Sequence, residues 1–234
     1  MPNWCYQHLT VTGPSDDLKA FRKSLNHKYT DKEGKESEVI SLNHLYPIPQ
    51  ELQETVSGFM GKDENGNPTP EQVALEKKQS DNIAKYGVKD WYDWANEKWG
   101  TKWGACDVDV TQEPMRGQMN IYFESAWSPA IGLLKEISRL NPTLVFAVSF
   151  DEEANLFAGW SVFFAGKHLK DASVDTELTP KLERRLEEAQ ESGDDDRIDE
   201  MWEIINDFRL GRMDQAREDM AEFVKGIRSL KIRV

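Results

Sequence analysis

Apolar positions along the chain repeat with two different periods, and each change of period marks a change of predicted element. A period of two with β-branched and aromatic residues is typical of a strand buried on one face. It predicts six strands, over residues 5–11, 38–45, 103–110, 118–124, 144–150 and 157–164. The charged stretch over residues 26–37 is predicted to be a loop.

Apolar positions separated by three or four residues predict helices between these strands. One begins near Ser15, predicted as its N-cap, and another covers residues 129–140 with Ser128 as its predicted cap. A flexible Gly/Asn-rich stretch over residues 58–68 leads to a polar, solvent-facing helix that starts at Thr69-Pro70. Trp91 opens a further helix, which Gly100 is expected to end.

The order of these elements predicts an α+β fold. The simplest arrangement is a mainly antiparallel sheet with two helices on one face, the ferredoxin-like plan. We therefore predict a ferredoxin-like α+β domain over residues 1–168, with a helical insertion at about residues 58–102.

The remaining residues, 169–234, are predicted to form an acidic C-terminal helical extension, a hairpin or small bundle. A polar linker over residues 170–179 would lead to a charged helix from Thr179-Pro180, and Gly211 would end a second helix. A third helix carries a narrow apolar seam made of Met213, Ala216, Met220, Phe223, Ile227 and Leu230. This seam could pack on the preceding helix or on a second chain, which would make a homodimer.

Composition narrows the class of partner. The chain has 234 residues, a formal net charge of −13 and a pI near 4.8. Nucleic-acid binders depend on clustered lysine and arginine, so nucleic acid is disfavoured and a basic protein surface is favoured. The sequence has no apolar run of about 20 residues and no signal peptide at its start. With Cys5 and Cys106 expected to be buried thiols, we predict a cytoplasmic protein without a membrane contact.

Candidate chemistry is sparse. The four histidines are scattered, and neither a zinc pattern nor a glycine-rich phosphate loop occurs, so no cofactor and no metal are predicted. His8 could face Cys106 as a dyad, although a structural histidine is the simpler interpretation. Asp107 and Asp109 share a strand face that could bind a divalent cation or simply be solvated.

Tryptophan is concentrated in one stretch, since four of the eight lie between Trp91 and Trp103. Such residues usually form core, but Trp91, Trp94, Trp103 and Trp127 could instead wall a pocket. Asp107 or His8 would then supply the polar group of a small-ligand binder or an enzyme. A nucleic-acid-binding module would need exposed aromatics on the open sheet face beside lysine or arginine.

Three stretches resemble a known family. These are the start of the chain, Met-Pro-Asn-Trp4-Cys-Tyr-Gln-His8-Leu-Thr-Val-Thr-Gly, then Trp91-Tyr-Asp-Trp94 with Trp99-Gly-Thr-Lys-Trp103, and Phe123-Glu-Ser-Ala-Trp-Ser-Pro129. With Phe157-Ala-Gly159 they resemble the YubB-like proteins of phages and plasmids over about residues 1–168. The resemblance implies a ferredoxin-like domain and a mobile-element origin, but no assigned reaction.

The leading hypothesis is a non-enzymatic phage- or plasmid-encoded accessory protein that binds a host protein. It would inhibit or counter a defence by covering a basic surface that normally receives nucleic acid. The predicted contacts are acidic residues of the helical extension, which are Asp194, Asp195, Asp196, Asp199, Glu200 and Glu203.

Overall fold

The structure is a computed structural model that describes residues 2–30, 34–154 and 156–229. These residues form eight strands and seven α-helices. The first seven elements along the chain are β1 (Trp4–Thr12), α1 (Ser15–Ser24), β2 (Asn26–Thr30), β3 (Glu36–Ile40), α2 (Gln50–Gln53), α3 (Pro70–Tyr86) and α4 (Trp91–Trp94). The others are β4 (Cys106–Met115), β5 (Gln118–Ala126), α5 (Ile131–Leu140), β6 (Val145–Glu152), β7 (Ala158–Phe164), β8 (Lys167–Val174), α6 (Pro180–Ser192) and α7 (Asp195–Ser229). None of the described helices has the length and apolar content needed to cross a membrane.

A six-stranded antiparallel sheet in the order β4-β5-β1-β6-β7-β8 organises the fold. Four of its strands and two helices follow the chain order β1, α1, β4, β5, α5, β6, which is the ferredoxin-like β-α-β-β-α-β unit. The last two strands, β7 and β8, extend this unit beyond β6. The predicted α+β, ferredoxin-like fold is confirmed.

The first face of the sheet packs against α1 and α5, as predicted. Phe21 of α1 meets Phe146 of β6 edge to face, with ring centroids 5.3 Å apart. Leu133 and Ile137 of α5 are fully buried in the same core, together with Leu9 of β1. Because residues two apart on a strand share a face, the even-numbered residues of β1 point to the opposite side.

The segment between α1 and β4 differs from the sequence interpretation. The predicted loop over residues 26–37 is wrong for the parts that form β2 and the start of β3, since these two strands pair with each other; residues 31–33 of that range lie outside the described residues. The predicted strand over residues 38–45 ends at Ile40, and a single 3-10 turn, Asn43–Leu45, follows it. The reason is exposure: most side chains of this hairpin face solvent, so no apolar alternation announces it.

The predicted helix caps Ser15 and Ser128 are also wrong. Helix α1 begins at Ser15 itself, after Pro14, and α5 is preceded by Ala130, with no side-chain cap at either helix. The Ser128 hydroxyl donates instead to the Gly100 carbonyl, at 2.6 Å. It therefore joins two loops rather than a helix end.

The predicted polar linker over residues 170–179 is wrong as well, because β8 occupies its first part. This strand pairs with β7 from Lys167↔Phe164 to Val174↔Ala158. It is an edge strand, and edge strands carry charged side chains that discourage further pairing. The predicted division of the chain at residue 168 consequently falls inside β8.

The last helix, α7, runs through Gly211 without a break, so the predicted stop there is wrong. A glycine ends a helix when it adopts a left-handed conformation, as Gly193 does after α6 with φ 65°. Gly211 stays helical instead. Glycine inside a helix costs about 1 kcal/mol, and the apolar residues on both sides outweigh that cost.

The seam of α7 packs on the second face of the sheet. Ala216, Met220, Val224 and Ile227 are buried against a set of sheet residues, which are Val145, Ala147, Trp160 and Val162. The predicted packing on the preceding helix is therefore wrong for this part of the seam. Leu230 lies outside the described residues. A homodimer through this seam would require α7 to leave the sheet.

Candidate functional site

The first half of the tryptophan-rich stretch is core. Asp90 caps α4 by accepting hydrogen bonds from the amides of Tyr92 and Asp93, both at 3.0 Å. Trp94 and Trp99 then meet edge to face with centroids 5.4 Å apart, and both are almost fully buried. The Trp99 indole donates to the Tyr46 carbonyl at 2.9 Å, so its polar atom is satisfied.

The second half of the stretch turns back to the surface. A π-helical turn, Ala95–Trp99, ends at Gly100, whose φ of 83° is the left-handed stop that the sequence predicted. Trp103 was expected to begin a strand, but β4 begins at Cys106. The intervening turn is bound by Asn43, which lies 60 residues before Trp103 in the sequence. Its side chain donates to the carbonyls of Trp103 and Ala105, at 3.0 and 3.1 Å, and accepts from the Ala105 amide at 2.8 Å.

Trp103, in this turn, belongs to a group of three indoles, of which Trp103 and Trp127 are exposed and Trp4 is half-buried. Trp103 contacts Trp127 at a centroid distance of 5.7 Å and Trp4 at 6.1 Å. Trp103 is 38% exposed and Trp127 is 47% exposed, which is unusual for side chains of this size. We call Trp4, Trp103 and Trp127, with Tyr92 and Lys102, the aromatic patch.

Lys102 lies over the rings of the aromatic patch. Its ammonium is 5.0 Å from the centroid of Trp103, 5.4 Å from Trp127 and 5.7 Å from Tyr92. Trp127 has a left-handed backbone with φ 63°, which a side chain of this kind rarely adopts, and its amide donates to the Asn3 carbonyl at 2.8 Å. The fold thus holds an indole in the solvent at a cost in backbone strain, an arrangement that clusters at binding sites.

The four tryptophans predicted as one pocket wall therefore lie in different environments. Trp94 is in the core, Trp103 and Trp127 are in the exposed aromatic patch, and Trp91 contacts Tyr92 edge to face. Lys102 and Tyr92 were not identified from the sequence. The only signal for them was a lysine between aromatic residues, a pattern too short to predict which rings it would reach.

Asn43→Ala should loosen the turn that carries Trp103. The substitution removes three hydrogen bonds, each contributing about 1 kcal/mol, so we expect a loss of about 2 kcal/mol in the free energy of unfolding. Urea denaturation followed by tryptophan fluorescence would measure this loss. Asn96→Ala, which removes one hydrogen bond within its own helix, should cost much less. Equal losses in the two variants would contradict the role of Asn43.

The acidic residues predicted as partner contacts lie together at the start of α7. Asp194, Asp195, Asp196, Asp199, Glu200 and Glu203 are all exposed. Asp194 also caps α7, because its carboxylate accepts from the Arg197 amide at 3.3 Å. This half of α7 packs against α6, with Met201, Ile205 and Ala189 buried between the two helices. We call this unit the acidic hairpin.

The aromatic patch and the acidic hairpin emerge at the same end of the sheet. In β1, Trp4 pairs with Ala126, and its neighbour Cys5 pairs with Glu152 at the end of β6. Along α7, Arg217 reaches Ser149 while Met213 lies beside Asp151. The residues of α7 that precede Met213 therefore lie beyond the strand ends. They extend about 20 Å from the sheet.

Other predicted polar residues do not form a reactive group. His8 lies beside Tyr122, with the two rings tilted and their centroids 5.3 Å apart, whereas Cys106 pairs with Glu124. Burial raises the pKa of the Cys106 thiol to about 11, which leaves it protonated at neutral pH. Asp107 lies at a bulge with φ 46° and is exposed. Within the described ranges, no three His, Cys, Asp or Glu side chains are grouped so that they could hold a metal ion.

These elements define an α+β protein with a ferredoxin-like domain and a long C-terminal helix on the sheet's second face. Residues 85–194 match a family model described as "Ferredoxin-like domain in Api92-like protein", which is slightly less than half of the chain. A crystal structure of protein api92 from Yersinia pseudotuberculosis is similar with a TM-score of 0.45 and 10% sequence identity. That match covers 76% of this chain and 100% of the api92 chain. The comparison with curated proteins gave no match.

Proposed function

We propose that the chain is a non-enzymatic accessory protein that binds a basic protein partner. The observation that supports this is the placement of exposed indoles and an exposed acidic helix at one end of the sheet. Tryptophan is enriched among the residues that dominate interface energies, and carboxylates steer a basic partner to its site. The aromatic patch would supply the apolar anchor, and the acidic hairpin would supply the charge.

The partner would be a host protein in the cytoplasm, and the accessory protein would come from a phage or plasmid. The resemblance to YubB-like proteins motivates this origin. A net charge of −13 on the chain suits occlusion of a surface that otherwise receives nucleic acid. Binding of this kind would inhibit the host protein, as a counter-defence factor does.

Removing three carboxylates of the acidic hairpin should weaken partner binding about tenfold, since exposed ion pairs contribute about 0.2–1 kcal/mol each. The variant is Asp199→Asn with Glu200→Gln and Glu203→Gln, which spares the cap Asp194. Affinity capture from nuclease-treated host lysate, at low and physiological salt, would identify the partner by mass spectrometry. Its affinity for purified variants would then be measured.

A matched control removes the same charge elsewhere, with Glu38→Gln in β3 and with Glu64→Gln and Asp81→Asn between β3 and α4, all at exposed positions. Trp127→Ala should also weaken binding, whereas Phe59→Ala, at a side chain 62% exposed, should not. If a captured partner binds the hairpin variant and the control variant equally well, the acidic hairpin is not its site. Failure to capture any protein at either salt concentration would count against the proposal as a whole.

A second candidate, binding of single-stranded nucleic acid, has one observation in its favour. Trp4, Tyr6 and His8 follow one another on the open part of the second sheet face, as stacking platforms require. Carboxylates lie in the same area, because Tyr6 pairs with both Glu124 and Asp151. They would repel phosphate, so the geometry supports a protein partner better. Nuclease treatment separates the two candidates, since a bridge of nucleic acid would be lost.

A further inference from the structure

A cavity of about 320 Å³ lies between α7 and the end of the sheet where the acidic hairpin begins. Ala158 and Val174 form its sheet side, and Leu210 and Met213 form its helix side. Ligand sites are typically concave, mostly apolar and about 300 Å³ or larger, with a few polar groups that fix orientation. The charged groups in this cavity are two arginines and two aspartates, and Thr176 and Asn206 add neutral polar groups.

One of the arginines already has a partner and the other does not. Arg212 binds Asp175 at 2.8 Å and lies over the Phe208 ring at 4.5 Å. Arg209 makes no hydrogen bond or ion pair within the described chain, and its Nε is buried without an acceptor. Burial lowers the pKa of Arg209, but an arginine stays charged at neutral pH. A buried donor on a cation without an acceptor is costly, and natural sites rarely leave one unused.

The remaining carboxylate is Asp151. Burial raises its pKa, and the charges of Arg217 and His8 lower that pKa by less, so Asp151 already has cationic neighbours outside the cavity lining. With Arg212 and Asp175 neutralising each other, Arg209 is the cation of the cavity without a partner. One positive charge among apolar side chains suits a monoanion. A phosphate monoester carries close to two charges and would meet Asp151 as well.

We propose that this cavity binds a small monocarboxylate with an apolar body, and that Arg209 holds its carboxylate. The guanidinium fork can bind both carboxylate oxygens, which gives geometric specificity as well as affinity. The apolar body would lie against Ala158, Val174 and Met213. This ligand site is separate from the proposed partner surface, so either can fail without the other.

A head-group series on the full chain tests the proposal, with hexanoate, hexan-1-ol and hexylamine as probes. All three carry the same apolar body, and titration calorimetry would measure their affinities at neutral pH. Hexanoate should bind at least about tenfold more tightly than the alcohol or the amine, because a charge-assisted hydrogen bond is lost in each. Equal affinity for the three probes would overturn the role of Arg209.

The site is located with labelled methionine methyl groups, observed by NMR during the hexanoate titration. Met213 should shift, while Met60 and Met115, which are exposed and distant in sequence, should not. A shift of Met220 without Met213 would place the probe in the neighbouring groove beside His8 and overturn the assignment.

Arg209→Met keeps the length of the side chain and removes the charge. Hexanoate affinity should fall at least about tenfold, while affinity for hexan-1-ol should stay the same. Arg185→Met, on the exposed side of α6, is the control and should change neither affinity. Unchanged hexanoate binding in the Arg209 variant would refute the proposal. Should that variant not fold, the head-group series and the methyl shifts on the natural chain decide the question.

Discussion

Gly132→Ala is expected to destabilise the protein by about 3 kcal/mol, which is large for the addition of one methyl group. A Cβ at this position of α5 would overlap the carbonyl oxygen of Lys98 and lie 3.0 Å from its carbonyl carbon. It would also lie 3.1 Å from the carbonyl carbon of Trp99. All three are backbone atoms, so no side-chain rotation can relieve the overlap.

The effect should be large because the displaced backbone is the π-helical turn of the tryptophan-rich stretch. Moving that turn away from α5 would withdraw Trp99 from the core and lengthen its hydrogen bond to Tyr46. It would also disturb Gly100, whose carbonyl accepts from Ser128. The rearrangement would therefore reach the aromatic patch as well as the core.

Chemical denaturation monitored by circular dichroism would measure the change in the free energy of unfolding. Gly211→Ala is the matched control, because a Cβ there meets no atom within 4 Å and the residue is inside α7. Alanine should stabilise that helix by about 0.5–1 kcal/mol. The close packing of α5 on the turn would be refuted if both substitutions stabilised the protein.

The tryptophan-rich stretch also shows how far the sequence could predict this fold. Asp90, Trp91 and Gly100 gave the helix and its stop correctly, because caps and left-handed stops act over a few residues. The position of Trp103 could not be predicted in this way. It depends on Asn43, which is 60 residues away and forms its hydrogen bonds only in the folded chain.

The C-terminal region shows the same limit. The apolar seam of α7 was identified from its spacing, but spacing does not reveal which surface covers a seam. The covering residues Trp160 and Val162 belong to a strand that was predicted, but the sequence analysis placed helices on one face of the sheet only. Arg209 was not predicted as a ligand site because a single arginine has no sequence pattern. Only the cavity around it and its missing acceptor distinguish it from other arginines.

Ala216→Glu should release the second half of α7 from the sheet. Ala216 is 6% exposed and packs in the core formed with Val145 and Trp160, with the Lys170 ammonium over the Trp160 ring at 5.6 Å. Burying a carboxylate costs several kcal/mol, and even an ion pair with Lys170 would force the larger side chain between α7 and the sheet, so we expect a loss of about 3 kcal/mol. Because α1 and α5 pack on the other face, the β1-β6 core should persist while α7 detaches. Hydrogen exchange would show this as fast exchange over residues 213–227.

Gln215→Glu places the same charge one residue earlier, where the side chain is exposed, and should leave exchange in α7 unchanged. The Ala216 variant should also bind a hydrophobic dye, because detachment uncovers Val145, Ala147, Trp160 and Val162. Such an apolar face would favour association between copies, so its sedimentation should depend on concentration. If the two variants instead showed the same slow exchange, burial of the seam would contribute little to holding α7. The acidic hairpin would then be free to move relative to the aromatic patch, and a composite surface made of the two would lose its basis.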